Sequence, residues 1–325
     1  MKFGIIGAGN GGQAIAGYLG KIGHDVSLYD IDVNRIEKIQ QKGGILLQGK
    51  LSGFGKLVCA TTEISKVVHH ADVILVTTTA NAHQAVADSI APYIEDGQVI
   101  ILNPGRTCGA LVFKQTLDKK QVNKRYYLAE AQTLVYACRI IEDGIVNVIG
   151  IKDEVYLAGL PASDTQHILN VIQPIYPCFQ EVPNILHTSL ENIGAIFHPC
   201  ICLMNAATIE RQDEFWFYRD MTERVADFIE QCDNERLAVG KAYGIDLIGV
   251  KEWIKVAYKD AKIRFIGIQS PSVNGGIAAN YGASGPYSDV FGEVSTAYHY
   301  NEYLEKLCER DEYKDFCRYI DMKAQ

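Results

Sequence analysis

A short apolar strand, Phe3-Gly4-Ile5-Ile6, runs directly into Gly7-Ala8-Gly9-Asn10-Gly11-Gly12 and then into a helix-forming stretch, Gln13 to Leu19. Strand, G-x-G-x-x-G and helix, in that order, begin a βαβ unit that binds a dinucleotide. Each glycine has its own task. Gly7 permits the tight turn, Gly9 lets the backbone approach a pyrophosphate, and Gly12 lets the helix lie close on the strand. The helix start then presents N–H groups and a positive dipole end to the anion. Asn10 lies within this turn and joins the expected cofactor residues. A second strand, Asp25 to Tyr29, ends at Asp30, 18 residues past Gly12. The carboxylate that takes the adenosine ribose hydroxyl is expected about 20 residues on. A carboxylate at that position repels a 2′-phosphate, so NAD is the expected cofactor and NADP the less favoured one. Arg35, a few residues further on, would soften that preference.

The 325 residues suffice for two domains at roughly 100–200 residues each. A hydrophobic share of 48% with 22% charged residues is the profile of a folded globular chain. A net charge of −8 argues against a polyanionic partner such as nucleic acid. No apolar run approaches the ~20 residues of a membrane span, and the first strand starts too soon to leave room for a signal peptide. The nine cysteines form no framework; Cys200 and Cys202 are the closest pair and there is no C-x-x-C. They are expected to be reduced thiols in a cytoplasmic protein with no metal site.

Strand and helix signals alternate through the first half. A polar helix is expected from Val33 to Gln41, and a small hairpin from Ile45 to Cys59. Asp72 to Thr78 and Val99 to Leu102 read as buried strands, separated by a helix from Ala82 to Ile94. Strand signals dominate from Tyr127 to Leu160. A helix from Asp164 to Ile175 follows, with Asp164 as its cap. Past Val182-Pro183-Asn184 the pattern turns helical: Leu186 to Thr208 is apolar and interrupted by Pro199, and Phe217 to Gly244 has apolar residues at helical spacing. The expected fold is α/β, an N-terminal Rossmann doubly wound parallel sheet over residues 1–183 with a C-terminal all-α helical domain over residues 184–325.

In such a sheet, ligands lie beyond the carboxyl ends of the strands. Three loops leave those ends: Gly7 to Gly12, Thr77 to His83, and Asn103 to Cys108. Thr78 and Asn103 are therefore expected at the cofactor. Arg106 is either a cation facing an anionic substrate or a solvated loop charge. His83 either caps the helix it begins or faces the site. His198 stands in an apolar helical stretch, where a histidine is more often a satisfied core residue. Pro199 beside it cannot donate a helical hydrogen bond and so frees a carbonyl. Asn205, seven residues on, is expected on the same helical face.

Five segments together resemble the NAD(P)-dependent opine dehydrogenases, the group of octopine, nopaline and N-(1-carboxyethyl)norvaline dehydrogenases. They are GAGNGGQA at 7–14, NPGRTCGAL at 103–111, AEAQTLVYACR at 129–139, NIGAIFHPCICLMNAATIE at 192–210, and FYRDMTERVADFIEQCDNERLAVGKAYGI at 217–245. The resemblance implies an enzyme that joins an amino acid to a 2-oxo acid and reduces the resulting imine with NAD(P)H, or runs the reverse oxidation. It implies that His198 is the catalytic histidine and that Asp289, within GPYSDV, is its carboxylate partner. The arginine that the family carries five residues earlier is replaced here by Ser284. Arg139, Arg106 and Asn205 are the expected substrate residues in its place, with Arg264 a further candidate. Arg139 reads equally, and Arg264 more readily, as a member of an ion pair. The expected partners are small molecules, not nucleic acid or membrane, and a homodimer is the assembly to test. Two other functions stay open at this point: reduction of a free 2-oxo or 3-hydroxy acid, and non-catalytic sensing of NAD(H).

Overall fold

The computed structural model describes residues 1–211, 213, 221–257, 262–263 and 268–269. Among these the strands are β1 (Lys2–Ile6), β2 (Asp25–Tyr29), β3 (Gly44–Gly49), β4 (Gly53–Lys56), β5 (Cys59–Thr61), β6 (Val73–Val76), β7 (Val99–Leu102), β8 (Tyr127–Ala131), β9 (Tyr136–Glu142), β10 (Ile145–Ile151), β11 (Val155–Leu160), β12 (Phe179–Glu181), β13 (Lys262–Ile263) and β14 (Ile268–Gln269). The helices are α1 (Asn10–Lys21), α2 (Val33–Lys42), α3 (Ser65–Val68), α4 (His83–Ile90), α5 (Gly109–Lys119), α6 (Thr165–Ile172), α7 (Ile185–Leu190), α8 (Gly194–Met204), α9 (Ala206–Glu210), α10 (Glu223–Ala242) and α11 (Val250–Ala257).

The described chain divides into two compact units. One comprises Met1–Ile193 with Arg236–Ile248; the other comprises Gly194–Glu235 and the described residues from Gly249 on. In the first unit the main sheet runs β12-β11-β8-β7-β6-β1-β2-β5. From β5 to β8 every pairing is parallel, while β11 runs antiparallel to β8. The central strands are buried on both faces, which is why β6 (VILV) and β7 (VIIL) are apolar throughout rather than alternating. Successive residues feed opposite cores. Ile5, Leu75 and Ile101 join Phe3, Leu28 and Phe179 on one face. Ile6, Ile74, Val76, Ile100 and Leu102 join Phe113 and Leu117 on the other. This is the doubly wound arrangement expected from the alternation of strands and helices.

Several details differ from that expectation. The segment from Tyr127 to Leu160 does not extend one sheet. Strands β9 and β10 turn away and form a second sheet, β4-β3-β10-β9, with the small hairpin. Cys59 leaves the expected hairpin and begins β5, an edge of the main sheet. The Asp164 side chain does not cap α6; its carboxylate instead takes the Arg125 guanidinium at 2.8 Å. The apolar stretch from Leu186 to Thr208 is three helices, α7 to α9, and Pro199 lies inside α8 rather than at a break. Asn184 starts α7 early, its side chain accepting from the Leu186 N–H at 3.0 Å.

The second unit contains α8, α9, α11 and the part of α10 up to Glu235. Cys200 on α8 and Cys232 on α10 bring their sulfurs to 3.7 Å. Among the described residues no helix is long and apolar enough to cross a membrane.

The second sheet holds α1 backbone to backbone. A Cβ on Gly55 of β4 would stand 1.9 Å from the Gly17 carbonyl oxygen of α1, and one on Gly20 would stand 2.4 Å from the Lys56 oxygen. Backbone atoms cannot rotate aside as a side chain can. Gly55→Ala is therefore expected to cost roughly 3 kcal/mol of stability, the upper end for overpacking. Urea denaturation measures this, and a loss below about 1 kcal/mol would contradict the close approach.

Candidate active site

The glycine turn is built by close contacts. Gly7 has φ +103°, a conformation in which a side chain is strained. A Cβ on Gly12 would lie 1.7 Å from the Gly7 carbonyl oxygen, so only glycine lets α1 begin where it does. Gly9 is different: a Cβ there would meet nothing within 4 Å. The chain thus leaves open space beside the start of α1. Gly9 is the N-cap of that helix, no side chain caps it, and its first turn holds no acidic residue. A helix start of this kind favours an anion. The residues fit a pyrophosphate.

Two polar side chains fix this turn. Gln13 is fully buried; its amide donates to the Ala8 carbonyl at 2.8 Å and accepts from the Gly144 N–H at 2.8 Å. Asn10 uses its side-chain oxygen to accept from the Ile140 N–H of β9 at 2.7 Å. Its neighbour on that strand, Arg139, donates to the Cys138 carbonyl at 3.3 Å. Asp30 is buried at the end of β2. Its carboxylate accepts from the Ala8 N–H at 2.6 Å and from the Asp32 N–H at 3.0 Å, with Arg35 at 3.4 Å. The second strand and the glycine turn are therefore joined through the residue expected at the ribose.

A second group of polar side chains lies where β6 and β7 finish. Thr77 bonds the Gly7 carbonyl at 2.8 Å, tying the β6 end to the turn. Next to it the Thr78 hydroxyl oxygen is buried and has no hydrogen-bond partner among the described residues. The Asn103 side-chain oxygen is in the same condition, and the buried His83 ring lies beside the Thr78 backbone. Buried polar atoms rarely stay unpaired, and a cluster of them at strand ends points to a polar ligand. His83 does not cap α4, whose N-cap is Ala82. It lies against the start of α5, its Nδ1 2.9 Å from where a Gly109 Cβ would be. Burial, then the Arg106 charge, push its imidazole down to about 4.

Arg106 is exposed in the Asn103–Cys108 loop at φ +61°, a strained value for a side-chain-bearing residue. Two charged residues near this loop escaped sequence reasoning. Glu130 is fully buried at the end of β8. It accepts from the Ser189 and Thr188 hydroxyls at 2.6 and 2.5 Å and from the Ala110 N–H at 2.9 Å. Burial raises its carboxyl above the usual range, against the pull of those three bonds. A glutamate inside the apolar strand YLAEA was the available signal. Lys152 donates to the Thr133 hydroxyl at 2.6 Å, and burial followed by the Arg106 charge push its ammonium down to about 8. Nothing in the sequence distinguishes it from a solvated lysine.

In the helical unit, His198 is half-buried on α8. Pro199 removes the N–H that would reach the Ala195 carbonyl. Asn205 does not share one continuous helix with His198. It stands at the break between α8 and α9, its amide donating to the Ile201 carbonyl at 2.9 Å. Asp289, Ser284 and Arg264 lie outside the described residues.

Comparison with known proteins settles the family. Residues 181–315 match the model for the NAD/NADP octopine/nopaline dehydrogenase alpha-helical domain, and residues 3–105 match that for ketopantoate reductase PanE/ApbA. An opine dehydrogenase of Arthrobacter sp. (strain 1C) is 38% identical over 258 residues, which are 79% of this chain and 72% of the relative. The chain belongs to the opine dehydrogenase family. An octopine dehydrogenase of Mizuhopecten yessoensis is 24% identical over 78% of this chain and 68% of its own length. A solved octopine dehydrogenase in complex with NADH and agmatine shares the fold, with a TM-score of 0.68 and 19% identity over 91% of this chain and 88% of that one. As an opine dehydrogenase the protein is an NAD(P)-dependent oxidoreductase, and its reaction is the reductive condensation of an amino acid with a 2-oxo acid.

His83 gives this unit an acid-sensitive core. Its folded value of about 4 lies below the ordinary 6.5, so the unfolded chain takes up the proton first. Stability is therefore lost as pH falls from about 6.5 to 4. His83→Gln, which stays neutral, is expected to shrink the stability difference between pH 7 and pH 4.5 by on the order of 2 kcal/mol. Urea melts at both pH values would refute the assignment if the difference were unchanged.

Proposed function

We propose that this opine dehydrogenase works with NADH, that Gly7, Gly9, Asn10, Gly12, Asp30, Thr78 and Asn103 bind the cofactor, and that His198 is its proton donor. The observation that carries the cofactor reading is the pair of unpartnered buried oxygens, Thr78 Oγ1 and Asn103 Oδ1, at the ends of adjacent parallel strands. They lie in the unit whose uncapped, glycine-rich helix start fits a pyrophosphate. When bound, the nicotinamide supplies the hydride. Ala8 and Asp30 hold the turn and the ribose end in register. His198 gives a proton as the imine carbon is reduced, and takes one back in the oxidative direction. Asp289, outside the described residues, is proposed as the carboxylate that fixes its tautomer. Arg139, Arg106 and Asn205 are proposed to meet the substrate, with Arg106 the cation for a carboxylate.

On this reading residues 1–183 form the cofactor domain and residues 184–325 the substrate domain, which agrees with a helical-domain match that begins at residue 181. The protein acts in the cytoplasm on small molecules, as a homodimer. A second reading, reduction of a free 2-oxo acid, is favoured by the ketopantoate reductase match over residues 3–105. An NADH-oxidation screen of 2-oxo acids, with and without pooled amino acids, separates the two. Oxidation that requires the amine supports condensation; oxidation indifferent to it supports the simpler reduction. Binding of NADH without turnover of any oxo acid would leave only a sensing role.

His198→Ala is expected to lower turnover by roughly 10²–10⁴-fold, the usual worth of a positioned proton donor. Its NADH affinity, read by fluorescence titration, should stay close to that of the unaltered chain. Near-normal turnover in a folded variant would end the assignment. Asp289→Asn should also be slow, and its effect should not add to that of His198→Ala, because residues acting as a unit are far from additive.

A further inference from the structure

Arg35 stands at the ribose end of the proposed cofactor site and is surrounded by carboxylates. It lies in the first turn of α2, which Asp32 caps by accepting from the Asn34 and Arg35 N–H groups at 3.0 and 3.2 Å. Its guanidinium meets Asp30 at 3.4 Å, Asp32 at 3.9 Å and, through Nε, Asp143 Oδ1 at 3.3 Å. The second Asp143 oxygen takes Lys38 at 3.4 Å. Three carboxylates thus face two cations. Asp30 and Asp32 are local to this corner. Asp143 is not: it arrives from the tip of the β9–β10 hairpin, 108 residues away in sequence.

The hairpin tip is itself held against the glycine turn. Gly144 turns it at φ +88°, and its N–H donates to Gln13. The Gln13 amide reaches Asp143 Oδ1 at 3.3 Å as well as the Ala8 carbonyl. The Asp143 side chain is only 18% exposed, so its charge is screened less than that of a free surface residue. In dinucleotide sites of this kind an arginine near the β2 carboxylate is what accommodates a 2′-phosphate. Here the arginine is present, and a carboxylate from a distant hairpin engages it.

We propose that Asp143 is a cofactor-specificity residue: by engaging Arg35 from the β9–β10 hairpin it keeps that guanidinium from serving a 2′-phosphate and leaves the pocket a net negative charge. This rests on the reading of Asp30 as the ribose carboxylate. The preference for NADH is then set by two acids, one at the end of β2 and one on the second sheet. Arg35, which sequence alone would count toward NADP, is neutralised rather than missing.

The test measures dissociation constants of NADH and NADPH by fluorescence titration, independently of turnover. Asp143→Asn keeps an oxygen for Gln13 and removes the charge. It is expected to tighten NADPH by about tenfold, since 1.4 kcal/mol of electrostatic free energy is a factor of ten. NADH affinity should stay within about twofold, and the NADPH gain should shrink in high salt. The gain should vanish in Asp143→Asn with Arg35→Ala, and Asp143→Glu should keep the original preference. An unchanged NADPH constant in Asp143→Asn, a gain that survives loss of Arg35, or equal weakening of both cofactors would overturn the proposal. Equal affinities in the unaltered chain would instead overturn the NADH preference itself, and the role of Asp143 with it.

Discussion

The close approach of α1 to the end of β1 governs the nucleotide end of this protein. With Gly12 lying over the Gly7 carbonyl, the helix begins directly above the turn, and its N–H groups open onto the space beside Gly9. Nothing else in the unit could position that space if the helix stood off by one methyl group. The neighbouring contacts serve the same geometry. Thr77 ties β6 to the Gly7 carbonyl, Asp30 ties β2 to the Ala8 N–H, and Gln13 ties the β9–β10 turn to the Ala8 carbonyl. One side of the turn is thereby fixed by the main sheet and the other by the second sheet.

Buried and half-buried charges cluster at the strand ends. At the end of β2 the carboxylates of Asp30, Asp32 and Asp143 outnumber the cations that meet them, Arg35 and Lys38. At the end of β8 Glu130 is sealed from water, held by two hydroxyls and one backbone N–H, and ties the start of α5 to α7. Around the Asn103–Cys108 loop burial, and after it the Arg106 charge, depress both His83 and Lys152.

What could be read from the sequence was local. The glycine turn, the buried runs VILV and VIIL, and Asp30 at the end of β2 each carry their signal within a few residues, and each stands where the pattern puts it. The second sheet could not be read this way, because β3 finds β10 across about a hundred residues and alternation alone does not name a partner. Asp143, Glu130 and Lys152 were missed for the same reason. Their roles come from distant groups, Arg35, Ser189 and Thr133, that only folding brings near. The helical stretch after Asn184 was readable as helix but not as three helices, since its breaks depend on capping by Asn184 and on the turn at Asn205. His198 gained its expected role from family resemblance and not from spacing, which by itself favoured a core residue.

The most direct test of the chemistry is the identity of the product. The chain is incubated with pooled amino acids, a 2-oxo acid and NADH deuterated at C4, and the product is read by mass spectrometry. A secondary amine is expected, with a deuterium on the carbon that was the carbonyl and a mass equal to that of both substrates, less one oxygen atom, plus one mass unit for deuterium in place of hydrogen. A deuterated 2-hydroxy acid, formed whether or not an amino acid is present, would contradict it.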